Sequence, residues 1–159
     1  MNMRKIDILL VEDRNEDAEL AVRALWREHL ASNIFIAKDG EEALDVLFCR
    51  GAFAERSFDH LPKLVLLNLK LPRIDGMEVL RQLKADSRTR SIPVIILGSS
   101  RQELELARSY DLGANCYIQK STDFTQSRLT VKTVGAYWMD INRRPLVECT
   151  KGSTAKGPS

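Results

Sequence analysis

Short apolar runs alternate with amphipathic stretches along the chain. Residues 6–11 form an almost wholly apolar run that ends at an acidic pair, Glu12 and Asp13. Behind this pair, apolar residues recur at helical spacing from residue 17 to about residue 30, which predicts a helix with one buried face. The same alternation continues to residue 142. It predicts five strands and five helices in strict alternation.

The predicted strands lie at 6–11, 33–37, 64–67, 92–97 and 115–118, and the predicted helices at 17–30, 41–50, 77–85, 101–112 and 124–142. We expect Gly51 to end the second helix and residues 52–62 to form a polar loop. The predicted buried stripe of the first helix comprises Ala18, Ala21, Val22, Leu25 and Trp26, and that of the last helix comprises Phe124, Val131, Val134, Trp138 and Ile141.

This alternation indicates an α/β fold. Short apolar strands that alternate with helices are typical of a parallel sheet covered on both faces. Right-handed crossovers then give a doubly wound sandwich. Ligands of such folds bind outside the carboxyl ends of the strands. The residues that follow each strand are therefore the candidate functional residues.

Composition narrows the class of protein. The chain has 159 residues, of which 44% are hydrophobic and 29% charged, as in one globular domain and unlike a disordered chain. Lys and Arg number 24 against 22 Asp and Glu, a net charge of +2. That balance gives no electrostatic reason to expect nucleic acid or an anionic membrane as the partner.

The cysteines and the chain ends indicate a cytoplasmic protein. There are three cysteines (Cys49, Cys116 and Cys149) with no metal-ligand spacing between them, so we interpret them as ordinary reduced thiols. Asp7 interrupts the first apolar run, which therefore does not resemble a signal peptide. We expect the domain to cover 5–142 and the polar tail, 143–159, to be disordered.

Polar side chains follow four of the predicted strands. Glu12 and Asp13 follow the first, Asn68 the third, Gly98 with Ser99 and Ser100 the fourth, and Lys120 the fifth. Adjacent carboxylates repel each other unless a cation neutralises them, and either Mg²⁺ or the Lys120 ammonium can do so. The alternative is that the two acids only stabilise the first turn of the first helix.

Four sequence segments carry a resemblance to a known family. They are ILLVED at 8–13, LPRIDGMEVL at 71–80, IPVIIL at 92–97 and DLGANCYIQK at 111–120. Over 5–142 the chain resembles the receiver domain of two-component response regulators. Residues 109–117 and the aromatic last helix are similar to single-domain regulators of bacterial phytochromes. The resemblance implies a flavodoxin-like sheet with strand order 2-1-3-4-5.

The resemblance also implies roles for residues at the strand ends. The family's phosphoacceptor aspartate falls on Asn68, and its acidic pair on Glu12 and Asp13. These residues and the backbone carbonyl of Lys70 match the family's Mg²⁺ ligands. The family also has four switch positions. Its lysine falls on Lys120 and its aromatic residue on Tyr117. Its Thr or Ser falls on Gly98 and its Pro on Ser121.

Three of these positions depart from the family pattern. Asn68 offers a neutral amide, a very poor nucleophile for phosphoryl transfer, and it removes one negative charge from the Mg²⁺ site. Gly98 has no hydroxyl, and Ser99 beside it faces the other way in a regular strand. Without proline, we expect a trans peptide bond before Ser121, because the cis form costs about 2.5–4 kcal/mol.

Two local contacts follow from these departures. We expect the Asn68 amide to bond Lys120 and nearby backbone. We expect Tyr117 to lie partly exposed with its hydroxyl in water, because the residue that would couple to it is missing. The further departures at Gly98 and Ser121 favour a natural asparagine at residue 68 over an engineered Asp-to-Asn change.

The sequence therefore predicts a receiver that cannot be phosphorylated and that is not an enzyme. Its expected partners are a sensor histidine kinase, such as a bacteriophytochrome, a phosphotransfer protein or another regulator. A further interpretation of the wide apolar face of the last helix is self-association through the last helices and fifth strand. The alternative is a working phosphoacceptor with an aspartate at 68. A flavodoxin-like cofactor protein is rejected, because the acidic loop at 12–17 repels phosphate.

Overall fold

The computed structural model of the protein describes residues 5–27, 33–98, 103–121 and 123–143. The elements are β1 (Ile8–Val11), α1 (Asn15–Arg27), β2 (Ile34–Ala37), α2 (Gly40–Leu47), β3 (Leu64–Asn68), α3 (Gly76–Ala85), β4 (Val94–Gly98), α4 (Glu103–Asp111), β5 (Cys116–Gln119) and α5 (Phe124–Ala136). All predicted elements are present. The predictions for Ser99, Cys149 and the tail beyond residue 143 fall outside the described residues.

The five strands form one parallel sheet in the order β2-β1-β3-β4-β5. This confirms the predicted fold class and strand order. Val11 pairs with Leu67, and Asn68 pairs with Leu97. The ends of β1, β3 and β4 are therefore level with one another, and the residues that follow them meet at one edge.

The helices cover both faces of the sheet. Side chains alternate between faces along each strand, so Leu9 and Val11 point one way and Ile8 and Leu10 the other. The first pair joins a fully buried cluster with α2 and α3, and the second joins one with α1 and α5. Both faces of the strands are apolar because both faces are covered.

Aspartates begin three of the helices. Asp39, Asp75 and Asp123 each accept a hydrogen bond from the backbone N–H three residues later, at 2.8–3.0 Å. Such N-caps satisfy one of the free amides of the first turn, and each stabilises the helix by about 1 kcal/mol. The caps fix where α2, α3 and α5 leave the edge that carries the candidate residues.

Gly76 allows α3 to begin directly against the end of β3. A Cβ atom at this position would lie 2.3 Å from the Asn68 carbonyl oxygen and 2.6 Å from the Cα of Leu69. The Gly76 N–H donates to the Leu69 carbonyl at 2.8 Å. Any larger residue would push α3 away from the backbone of Asn68, so this glycine positions the candidate site.

The segment 52–62 is more than the polar loop that the sequence predicts. It contains two short 3₁₀ turns (Gly51–Phe53 and Phe58–His60). Phe53 is buried, with its ring edge-on to Phe35 at 5.3 Å between centroids. The preceding helix ends at Leu47, earlier than predicted. The apolar residues of this segment, among them Phe53, Phe58 and Leu61, follow neither the helical nor the strand period, so sequence analysis did not identify which of them is buried.

Two predicted core positions are exposed. Trp26 is 61% exposed, because the buried stripe of α1 follows Ala18, Ala21 and Leu25 and leaves Trp26 at its margin. Ile141 is 68% exposed. The last helix changes from α to a π turn at Tyr137–Ile141, which shifts the side chains relative to the stripe of α5.

Among the described residues, no helix is long and apolar enough to cross a membrane.

Candidate functional site

The carboxyl edge of the sheet brings the predicted polar residues together. Glu12 follows β1 directly, Asn68 is the last residue of β3, and Lys120 follows β5. The Lys120 N–H donates to the Gly98 carbonyl at 2.7 Å, which continues the β4–β5 ladder. The edge therefore carries Glu12, Asp13, Asn68, Gly98 and Lys120 side by side, as the strand-end analysis predicts.

Glu12 is the buried centre of this cluster, with 2% of its surface exposed. Its Oε1 accepts from the backbone N–H of Arg14 and from the Asn68 amide, both at 3.1 Å. Its Oε2 accepts from the Lys120 ammonium at 2.6 Å. A buried carboxylate is tolerated only when it is paired and hydrogen-bonded, and both oxygens of Glu12 have donors.

The Asn68 amide points at three oxygen atoms. Its Nδ2 lies 3.1 Å from Glu12 Oε1, 3.4 Å from Asp13 Oδ1 and 3.4 Å from the Lys70 carbonyl oxygen. All three neighbours only accept hydrogen bonds, so the NH₂ group and not the amide oxygen faces them. The prediction of a hydrogen bond between Asn68 and Lys120 is wrong, because the Lys120 ammonium is directed to Glu12 and Asp17.

Lys120 joins the end of β5 to the start of α1. Its ammonium lies 2.6 Å from Glu12 and 3.5 Å from Asp17 Oδ2, and its side chain is 23% exposed. Three carboxylates (Glu12, Asp13 and Asp17) thus share this edge with one ammonium. Sequence analysis missed Asp17 as a member of this cluster, because its position in the first turn of α1 also fits a residue that only stabilises the helix start.

Tyr117 lies inward, over Gly98. A Cβ atom at Gly98 would be 2.0 Å from the Tyr117 Oη, so the phenol occupies the space that a side chain at residue 98 would need. The hydroxyl donates to Glu105 Oε2 on α4 at 2.7 Å. Tyr117 is partly exposed, as expected, but its hydroxyl is paired with Glu105 and does not rely on water alone. No sequence signal marks Glu105 as its partner.

The environment of Tyr117 changes its acidity. Burial of the phenol raises its pKa, and the hydrogen bond to Glu105 and the charge of that carboxylate raise it further. The hydroxyl is thus held as a donor between β5 and α4.

Ser121 begins the turn into α5. Its hydroxyl accepts from the Asp123 N–H at 3.0 Å, and its carbonyl accepts from the Ser127 hydroxyl at 2.9 Å. The described part of the chain contains no cis peptide bond. The peptide bond before Ser121 is therefore trans, which confirms the expectation.

The fold has counterparts among known proteins. Residues 8–132 match the family described as the response regulator receiver domain. The chain belongs to this receiver family. Response regulator Rcp1 of Synechocystis is 33% identical over 138 residues, 87% of this receiver and 92% of Rcp1. The probable methanogenesis regulatory protein FilR2 of Methanothrix harundinacea is 41% identical over 138 residues, 87% of this receiver and 86% of FilR2.

Two crystal structures extend the comparison to three dimensions. The Mn²⁺-bound form of Rcp1 superimposes with a TM-score of 0.82 at 32% identity, covering 88% of this receiver and 99% of Rcp1. The phosphorylated cyanobacterial phytochrome response regulator RcpA also gives 0.82, at 37% identity, covering 89% of this receiver and 99% of RcpA. The receiver thus resembles regulators associated with phytochromes.

The other reactive groups that the structure describes form no second centre. In the described ranges, no three His, Cys, Asp or Glu side chains are grouped as metal ligands. Cys49 and Cys116 are half-buried free thiols, and burial raises the pKa of both. A raised pKa keeps a thiol protonated and unreactive near neutral pH.

Proposed function

We propose that this receiver is not phosphorylated at residue 68 and that it acts through contacts with a sensor histidine kinase or another regulator. The observation that carries the proposal is the carboxamide of Asn68 at the end of β3, beside Glu12 and Asp13. Phosphoryl transfer to this position needs an anionic oxygen, and an amide oxygen is a weak, neutral nucleophile.

We also propose that the receiver binds Mg²⁺ only weakly. Its ligands would be Glu12, Asp13, Asn68 and the backbone carbonyl of Lys70. The number of charged ligands helps to set the affinity for a hard cation, and Asn68 contributes no charge. The Mn²⁺ in the Rcp1 structure supports a cation site in the relatives of this receiver.

The similarity to RcpA supports a kinase of the phytochrome class as the partner. A phosphotransfer protein is the alternative partner to the kinase. We propose a signalling module in the cytoplasm, not an enzyme and not a binder of nucleic acid or membranes. Burial raises the pKa values of Cys49 and Cys116, so neither of these two thiols supports nucleophilic catalysis near neutral pH.

We propose self-association through α4, β5 and α5 as a further contact. Exposed apolar side chains of these helices and the adjoining π turn support it: Leu104, Tyr110, Leu129, Tyr137 and Ile141. Burial of such residues drives association. Sedimentation equilibrium should show a dimer that Leu129→Lys weakens, and a monomer at all concentrations would contradict it.

A second candidate function is that of a working phosphoacceptor with a native or restored aspartate at residue 68. Glu12, Asp13 and Lys120 remain together at the edge of the sheet, and this favours it. Under this alternative the receiver accepts a phosphoryl group from the histidine kinase.

Competition for a histidine kinase tests the main proposal. A radiolabelled, autophosphorylated kinase of the phytochrome class is mixed with a working receiver and increasing amounts of this one. We expect slower transfer to the working receiver and no label on this protein. Asn68→Asp is the matched variant, and it should gain label. Label at residue 68 of the wild type, or no effect of a large excess, would contradict the proposal.

A further inference from the structure

The cluster around Asn68 is satisfied without any ion. Its NH₂ group is the hydrogen-bond donor to the same three oxygens, from Glu12, Asp13 and Lys70, that the family resemblance assigns to Mg²⁺. Asn68 is 7% exposed and Glu12 2%, so water has little access to replace the contact between these two side chains. The second oxygen of Glu12 is taken by Lys120.

This arrangement does not fit a divalent cation as it stands. Mg²⁺ requires ligand oxygens at about 2.0–2.1 Å in octahedral geometry, and here an N–H donor points to where those oxygens converge. Asn68 would have to turn its amide over to present its oxygen. That rotation would break its contacts to Glu12, Asp13 and the Lys70 carbonyl together.

We propose that the Asn68 amide and the Lys120 ammonium take the place of the divalent cation, and that the amide itself excludes Mg²⁺ from the site. The inference deepens the proposed weak Mg²⁺ binding by naming its cause. A deficit of charge alone would treat every neutral residue at position 68 alike. Exclusion by the amide applies only while its donor is present.

The two causes are separated by shortening residue 68 without adding charge. Asn68→Ala loses a potential ligand oxygen, so loss of charge predicts an affinity for Mg²⁺ equal to or below that of the wild type. Exclusion by the amide predicts the reverse, because Glu12, Asp13 and the Lys70 carbonyl become free for a hydrated ion. Relief of one charge-assisted hydrogen bond corresponds to about tenfold tighter binding.

Isothermal titration with MgCl₂ measures these affinities, and broadening of amide NMR signals by Mn²⁺ locates the ion. We expect the order Asn68→Asp, then Asn68→Ala, then wild type, from tightest to weakest. Asn68→Ser is a second variant with a short side chain, and like Asn68→Ala it should bind Mg²⁺ more tightly than the wild type. Equal affinity of the wild type and both short variants, including no binding by any of them, would overturn the inference.

Asp13→Asn in the Asn68→Ala background is the matched control. Asp13 is exposed, so this change tests the ligand and not the fold. It should abolish the gained Mg²⁺ binding, and persistence of the gain would overturn the assignment to this site. Neither short variant has an acceptor carboxylate, so these results do not depend on whether the wild type is phosphorylated. Failure of the inference and failure of the proposed function are therefore distinguishable.

Discussion

A carboxamide and a carboxylate have nearly the same shape but opposite hydrogen-bonding roles at residue 68. The carboxylate only accepts, and beside Glu12 and Asp13 it would add a third negative charge. The amide donates to those same acids and to the Lys70 carbonyl. One atom therefore changes the site from one that needs a cation to one that is internally hydrogen-bonded.

Gly98 and Tyr117 form a second pair in which one residue determines the position of the other. We predict that Gly98→Ala lowers the free energy of unfolding by about 1–3 kcal/mol, as overpacking does. The new Cβ would lie 2.0 Å from the phenol oxygen. In a Tyr117→Ala background the cost should nearly vanish. Urea unfolding of the two single variants and the double variant measures the coupling energy between residues 98 and 117. If Gly98→Ala lowers the free energy of unfolding equally in both backgrounds, the prediction is contradicted.

The raised pKa of Tyr117 predicts how stability depends on pH. Its folded-state pKa lies above the ordinary value of 10.0, so its contribution is complete below pH 10 and is lost as pH rises through the folded-state pKa. The stability difference between wild type and Tyr117→Phe should therefore be constant below pH 10 and should shrink above it. Denaturant unfolding at several pH values measures this, and a difference that grows above pH 10 would refute it.

At the scale of the elements, the start of α3 holds the end of β3 in place. Gly76→Ala should lower the free energy of unfolding by about 3 kcal/mol and shift the NMR signals of Asn68, because its Cβ would collide with backbone atoms. Asp75→Ala is the control, since it removes only the helix cap and should cost about 1 kcal/mol. An equal loss of unfolding free energy in the two variants would contradict the prediction that the close approach at Gly76 holds the end of β3 in place.

Sequence analysis predicted the strands and helices because the strands are mostly apolar runs and most helices carry a clear apolar stripe. The contacts of single side chains were harder to predict. The inward position of Tyr117 depends on an empty space at Gly98, which lies on the neighbouring strand, and on Glu105. The partners of Lys120 depend on how close β5 comes to α1. Periodicity contains neither kind of information.

At the scale of the whole molecule, the receiver presents one edge of polar groups on a sheet that is buried on both faces. The strand order and the level ends of β1, β3 and β4 place the residues of this edge together. The resemblance to the family identified the positions, and the structure supplied their hydrogen bonds. In our proposal the molecule presents this edge in one fixed state and transmits signals through contacts alone.

The most direct test of this account is the intact mass of the protein before and after incubation with Mg²⁺ and a small acyl phosphate. The starting mass also verifies the asparagine at residue 68. The account predicts no phosphoryl adduct on the wild type and one adduct on Asn68→Asp under the same conditions. A wild-type adduct in good yield that maps to residue 68 would contradict the account and make this receiver a phosphorylation switch.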